Sequence, residues 1–190
     1  DLHSFPTRRS SDLDLSISLR CFMRNKSEQH KTIAIVSVFT FAGVLFCLIS
    51  LVNHYLFKTY TLDLGLYTHF MYEYAHFRHP DLFMLDMAPQ SALSAHFDLW
   101  LVIFSPLSYV FGSYTLLIMQ IAAVLFGGWG VYKLIGLYTD DDLMSLLASA
   151  TFFLSFGIIH ALGYDYHSNV VSAMMFPWLL FELKRGRFGW

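Results

Sequence analysis

Long apolar stretches alternate with short polar segments along the chain. Residues 32–52 carry no charge and are rich in valine, isoleucine, leucine and phenylalanine. Four further apolar stretches follow, at about 93–111, 114–135, 143–162 and 168–183. A helix of about 20 apolar residues crosses a hydrocarbon core roughly 30 Å thick. The pattern therefore predicts an all-α integral membrane protein.

The composition also indicates a membrane protein. Hydrophobic residues make up 56% of the 190 residues and charged residues only 14%, whereas a soluble domain has about 25% charged residues. This excludes a soluble enzyme. Two cysteines exclude a disulfide-stapled secreted module. A net charge of −2 gives no overall cationic field, so we expect the lipid bilayer, and not nucleic acid, as a partner.

The two ends of the chain suggest a fragment. Residues 1–13 read DLHSFPTRRSSDL, which resembles the translation of a common sequencing adapter, so we set them aside as an artefact. The natural chain then has a cytoplasmic tail at 14–31 and a single membrane domain at 32–190. The chain stops at Trp190, just after a basic segment, and we expect it to be truncated there.

Basic residues predict the orientation of the spans. Clusters precede the stretch at 32–52 and follow the one at 168–183, and the positive-inside rule places both in the cytoplasm. The number of spans is then even. The stretch at 93–111 contains His96, Asp98 and Pro106, so we interpret it as a juxtamembrane or re-entrant helix on the outer side. Four spans remain, at about 32–52, 114–135, 143–162 and 168–183.

The predicted outer loop, 53–112, carries an amphipathic pattern. From Asp63 onward, apolar and polar side chains recur at helical spacing on opposite sides, which is typical of a helix on a membrane surface. His69, Glu73 and His76 share the polar side and offer ligands for a metal ion. A face wetted by lipid headgroups is the commoner reason for such a pattern. The cofactor therefore stays unknown, with a divalent metal as one candidate.

Three polar clusters fall on the same predicted side of the membrane. Asp63 opens the outer loop, where it is a helix N-cap, a general base, or both. A second cluster starts the juxtamembrane helix, and a third separates spans three and four. We expect the catalytic residues to be Asp63, His96, Asp165 and His167. We expect the substrate-binding residues to be Asp98, Tyr164 and Asn169.

The order of these segments resembles a known family. The chain reads NHYLFKTYTLDLGLY, then HFDLWLVIFSPLSYVFGS, LLIMQIAAVLFGGWGVYKL and YDYHSNVVSAMMFPWLLFELKRGR. This resembles a widespread prokaryotic family of membrane proteins of unknown function related to the GT-C glycosyltransferases, the superfamily of protein mannosyltransferases and lipid A aminoarabinose transferases. The resemblance covers roughly residues 50–190. It implies a GT-C-like multi-span helical bundle, of which this chain is the N-terminal portion.

The same resemblance implies a reaction. The superfamily takes sugars from polyprenyl-phosphate donors, and an aspartate in the first outer loop acts as base or metal-linked acid, a role that maps onto Asp63. The chain departs from the pattern because Leu64 and Gly65 follow Asp63, where many GT-C enzymes carry a second acidic residue. Metal dependence and catalysis itself therefore stay open.

Two other classes of function compete with a glycosyltransferase. A transporter would use the aspartates and histidines to relay protons or bind a solute, but such proteins favour internal repeats and broken helices at the midplane. No repeat is visible, and the polar clusters fall at predicted span ends. A non-catalytic membrane assembly protein is the third alternative. In each case we expect a multi-pass protein of the inner (plasma) membrane with a cytoplasmic N-terminus.

Overall fold

The computed structural model describes residues 10–59, 61–80, 93 and 98–186. Every element of regular structure in these ranges is helical. The α-helices, in chain order, are α1 (Ser10–Tyr55), α2 (Leu66–Ala75), α3 (Leu99–Phe104), α4 (Ser108–Phe111), α5 (Thr115–Ile135), α6 (Asp142–Phe153), α7 (Phe156–Tyr164), α8 (Ser168–Ala173) and α9 (Phe176–Lys184). A π-helical turn, Thr61–Gly65, precedes α2, and 3-10 turns at Ser105–Leu107 and Gly112–Tyr114 link α3, α4 and α5. The all-α prediction is confirmed.

The chain divides into two compact units after Val38. The first unit, Asp1–Val38, contains the first part of α1, where Lys31 and Glu28 form an exposed ion pair at 3.1 Å. The second unit, Phe39–Trp190, contains the end of α1 and every later element.

Helices in the second unit run back and forth beside one another. Phe39 packs edge-on against Trp129, and near the other end of α1 His54 contacts Ser113, so α1 and α5 are antiparallel. Ser149 of α6 donates a hydrogen bond to the carbonyl of Gly128 (3.0 Å), and the chain returns along α6 and α7 beside α5. The last two helices, α8 and α9, run in the direction of α5.

Among the described residues, two helical runs are long and apolar enough to cross a membrane. They are Glu28–Tyr55, of 28 residues, and Leu99–Ile135, of 37 residues, and the pair Asp142–Phe153 and Phe156–Tyr164 makes a third if its 43° bend is counted within one span. Within the second run, Gly112 has φ +54° and ψ −133°, so the helical geometry breaks between the segment predicted as an outer helix, 93–111, and the segment predicted as a span, 114–135.

Met174 and Met175 separate α8 from α9 within the segment predicted as the fourth span. Pro177, at which the sequence predicts a kink in this span, lies in the first turn of α9. One sequence prediction about a helix end is wrong. The surface helix begins at Leu66 after Gly65, so Asp63 lies in the preceding π-helical turn and is not the N-cap.

Glycines bring α5 close to its neighbours. A Cβ atom added at Gly128 would collide with the ring of Phe153 in α6, and one at Gly130 would lie 2.9 Å from the indole of Trp178 in α9. The indole nitrogen of Trp178 donates a hydrogen bond to the carbonyl of Phe126 at 2.9 Å. This close packing fixes α6 and α9 on either side of α5.

At the other end of α5, the short helices surround an apolar core. It joins the π-helical turn, α2, α3, the start of α5 and α8 through eight buried residues: Leu64, Phe70, Met71, Leu101, Leu116, Leu117, Tyr166 and Val171. Asp63 and Asn169, which are predicted site residues, lie on these elements, and Asp98 directly precedes α3. The packing of this core therefore determines which of the predicted site residues lie close together.

Candidate functional site

A cavity of about 520 Å³ opens between the start of α3 and the start of α8. Asp98, Ser168, Asn169 and Ser172 supply its polar groups. Leu99, Trp100 and Ile103 supply its apolar groups. The cavity is within the size range of small-molecule sites, and it combines a few polar groups with apolar and aromatic surface. Two residues predicted to bind substrate, Asp98 and Asn169, thus lie in one cavity.

Asp98 is the most enclosed group of this cavity. It precedes α3 directly and is only 7% exposed. Burial makes a carboxylate interact strongly with its neighbours, since few waters screen it. We therefore take Asp98 as the electrostatic centre of the site.

The charge of Asp98 acts on three described tyrosines, Tyr67, Tyr74 and Tyr166. Burial raises the pKa of Tyr166, and the charges of Asp98 and of a deprotonated Tyr67 raise it further. Burial also raises the pKa of Tyr74, again with a contribution from Asp98. The rings of Tyr67 and Tyr166 meet edge to face, 5.5 Å apart. Asp98 is therefore close to phenol groups from α2 and from the loop before α8.

Tyr67 connects Asp63 to the same site. Burial raises the pKa of Tyr67, a hydrogen bond with Ser168 lowers it, and the charges of Asp98 and Asp63 raise it. Ser168 itself lines the cavity. Both carboxylates thus act on one phenol group, and the half-buried Asp63 lies on the side of the molecule that carries the cavity.

The other predicted catalytic residues occupy different positions. Asp165 is 1% exposed, and this burial suits a positioning role better than contact with a substrate. His167 directly precedes α8 and is half-buried, with its ring 5.5 Å from that of Tyr164. Tyr164 lines a different cavity, next to α1. His96 lies outside the described residues.

Sequence reasoning missed Gln120, which holds the third polar cluster in place. It lies in α5 with no exposed surface. Its side-chain nitrogen donates hydrogen bonds to the carbonyls of Asp165 (2.9 Å) and Ala161 (3.4 Å), and its oxygen accepts one from the backbone N–H of His167 (2.7 Å). An amide inside an otherwise apolar span was the signal that could have revealed it.

The described residues do not fit a divalent metal ion. Among them, no group of three or more histidine, cysteine, aspartate or glutamate side chains is arranged to hold one. Of the trio suggested by the sequence, Glu73 pairs with Arg78 at 3.6 Å, and His76 Nδ1 lies 2.7 Å from the carbonyl oxygen of Tyr72. The amphipathic pattern of α2 is thus explained by local contacts and by its buried face.

The geometry permits one test of the site by alkaline titration. A tyrosine whose folded-state pKa lies above 10.0 is stabilised in its protonated form by the fold. This contribution to the free energy of unfolding is complete below pH 10 and is lost as the pH rises through the folded-state pKa. We expect Asp98→Asn to move the titration of buried tyrosines, followed by absorbance at 295 nm, toward lower pH. Asp63→Asn should produce a smaller shift, because Asp63 acts on Tyr67 and Asp98 acts on three phenols. Equal titration curves for the wild type and Asp98→Asn would contradict this arrangement.

Comparison with known families identifies the membrane domain. The family model described as "Predicted membrane protein (DUF2079)" matches residues 53–189. The chain belongs to this family. Searches of curated proteins and of solved structures find no match for it. The match begins before Asp63 and includes α2 to α9, so every element that builds the cavity belongs to the family region.

Proposed function

We propose that this membrane protein is a GT-C-like glycosyltransferase that transfers a sugar from a polyprenyl-phosphate donor to an acceptor on the outer face of the membrane. The observation that carries the proposal is the cavity that Asp98 shares with Trp100, Ser168 and Asn169. A lipid-linked sugar is polar at one end and apolar at the other, and this lining has both characters. The aromatic ring offers a flat surface to a sugar, while the carboxylate, hydroxyls and amide offer hydrogen-bond partners.

The position of two carboxylates also supports the proposal. Asp63 lacks an acidic neighbour in the sequence, which departs from the pattern of many GT-C enzymes. In the structure, Asp98 and Asp63 both act on the phenol of Tyr67. The fold thus brings a second carboxylate to the same side of the molecule from a different segment.

The proposed reaction assigns a role to each carboxylate. Asp63 removes the proton of an acceptor hydroxyl, whose oxygen forms a bond to the anomeric carbon of the donor sugar. The bond between that carbon and the phosphate oxygen breaks, and polyprenyl phosphate leaves with the electron pair. Asp98 and Asn169 hold sugar hydroxyls. His96 and His167 are the candidates for stabilising the leaving phosphate.

The arrangement of charges supports the proposed orientation, with the N-terminus in the cytoplasm of a cell bounded by an inner (plasma) membrane. The ammonium group of Lys184, at the end of α9, lies 4.6 Å from the ring centre of Tyr138. Lys133 lies over Trp129 near the same end of α5. The opposite end of α5 carries the polar site. Lys133 and Lys184 thus lie at the end of the helices opposite the site, which is consistent with the positive-inside rule.

Donor protection tests whether the cavity takes the lipid-linked sugar. The protein is expressed from its complete reading frame, with Cys21→Ser and Cys47→Ser to remove these two thiols. Ser172→Cys then supplies an exposed thiol in the cavity as the labelling probe. In liposomes, we expect polyprenyl-phosphate hexoses or pentoses to slow its reaction with a membrane-impermeant maleimide several-fold.

A second cysteine controls for general effects on labelling. Phe77 is 99% exposed and follows α2, and Phe77→Cys should react at the same rate with or without donor. Phosphatidylglycerol at the same concentration should protect neither position. If no sugar donor in the panel protects Ser172→Cys, the cavity is not the donor site. Protection by phosphatidylglycerol alone would favour a lipid-binding role without sugar transfer.

A further inference from the structure

A second cavity, of about 410 Å³, lies between the end of α1 and α7. Ile49, Phe156 and Ile159 form its apolar part. Asn53, Lys58, His160 and Tyr164 form its polar part, and Gly163 completes the lining. Among these described residues, none carries a carboxylate, while Lys58 carries a positive charge. The cavity is therefore apolar on one side and cationic on the other.

The two helices meet closely at this cavity. The side-chain nitrogen of Asn53 donates a hydrogen bond of 3.4 Å to the carbonyl of Gly163. A Cβ atom added at Gly163 would lie 3.6 Å from Ile49, at ordinary contact distance. Because Asn53 and Gly163 belong to the last turns of α1 and α7, the ends of both helices lie at the same level.

This level corresponds to the boundary of the membrane. The first candidate span ends at Tyr55 and the bent pair ends at Tyr164. Lys58 follows the end of α1 by three residues, a position from which a lysine reaches the headgroup region. Phe156 is 81% exposed and its ring stacks on that of His160 at 5.3 Å. The apolar part of the cavity thus faces acyl chains while Lys58 faces the headgroups.

We propose that this cavity binds the phosphate group of an anionic lipid. Lys58 supplies the charge, and the amide of Asn53, the imidazole of His160 and the hydroxyl of Tyr164 supply hydrogen-bond donors around it. The acyl or prenyl chain lies along Ile49, Phe156 and Ile159. The lipid is either a bilayer phospholipid or a polyprenyl phosphate, because both present a phosphate at this depth. The site does not depend on sugar transfer at the Asp98 cavity.

Lipid retention during native mass spectrometry tests the proposal. The purified protein is titrated with phosphatidylglycerol, with polyprenyl phosphate and with phosphatidylcholine, whose headgroup has no net charge. We expect binding of at least one of the two anionic lipids, and about fivefold weaker binding of that lipid by Lys58→Gln, the effect of one lysine at a membrane surface. Binding should also weaken as the ionic strength rises.

The control variant removes a lysine at the other end of the helices. Lys133→Gln should bind each lipid as the wild type does, because Lys133 lies over Trp129 and not in this cavity. Retention of phosphatidylglycerol identifies a bilayer phospholipid as the occupant, and retention of polyprenyl phosphate alone identifies a lipid carrier. The proposal is overturned if phosphatidylcholine binds as tightly as both anionic lipids, or if Lys58→Gln and Lys133→Gln have equal affinities. Donor protection of Ser172→Cys is an independent readout, so the two proposals can fail separately.

Discussion

Gln120→Leu should lower both the stability of the protein and any activity at the Asp98 cavity. The substitution removes three hydrogen bonds from a side chain with no exposed surface. The backbone N–H of His167 loses the partner that it has at 2.7 Å. A buried polar group left without a partner costs about 1–3 kcal/mol. We therefore expect a loss of about this size in the free energy of unfolding, measured in detergent micelles.

The effect on activity follows from the position of the loop. Gln120 fixes the backbone of Asp165 and His167, and the next two residues, Ser168 and Asn169, line the cavity. Releasing this loop disorders one wall of the site. Misplaced groups weaken catalysis steeply, so the loss of sugar transfer should exceed what the unfolded fraction explains.

Thr115→Val is the matched control for this prediction. Thr115 is also buried in α5, at 1% exposed, but its hydroxyl donates to the carbonyl of Gly112 within the same turn. This variant should lose stability without affecting the 165–169 loop. Equal losses of transfer activity in Gln120→Leu and Thr115→Val, at equal folded fractions, would show that Gln120 does not position the site.

The sequence was sufficient to predict the class of protein, a helical membrane protein. The long hydrophobic stretches predicted helices, and the regular structure of the described residues is helical. The grouping of Asp98 and Asn169 followed from assigning their segments to one side of the membrane, and the two residues share a cavity. These features depend on hydrophobic periodicity and on the side of the membrane to which each segment is assigned, and both can be inferred from a single sequence.

Other features depend on contacts between distant residues. Tyr67 and Tyr166 looked like ordinary aromatic residues of a membrane protein, and only the packing of α2 against the loop before α8 brings them to Asp98. The bend between α6 and α7 lies within a continuous apolar run that carries no sign of it, whereas Pro177 predicts a distortion close to the break between α8 and α9. Hydrophobicity alone does not distinguish one straight helix from two short ones.

Asp63→Asn should have the largest effect on the proposed reaction. The change removes the basic carboxylate and keeps the size of the side chain. Asp63 is half-buried in a turn and does not cap α2, so we expect little change in folding. General base catalysis contributes about 10²–10⁴-fold to a rate, and transfer should fall by a factor in that range. Asp63→Glu, which keeps the carboxylate, should retain more activity than Asp63→Asn.

The most direct measurement is the release of polyprenyl phosphate by the protein, expressed from its complete reading frame, in liposomes that contain a panel of polyprenyl-phosphate sugars and hydroxyl acceptors. The account predicts acceptor-dependent release by the wild type with at least one donor, and a loss of about 10²–10⁴-fold in Asp63→Asn while its thermal unfolding is unchanged. Equal release by the wild type and Asp63→Asn, or no release above empty liposomes across the panel, would contradict it.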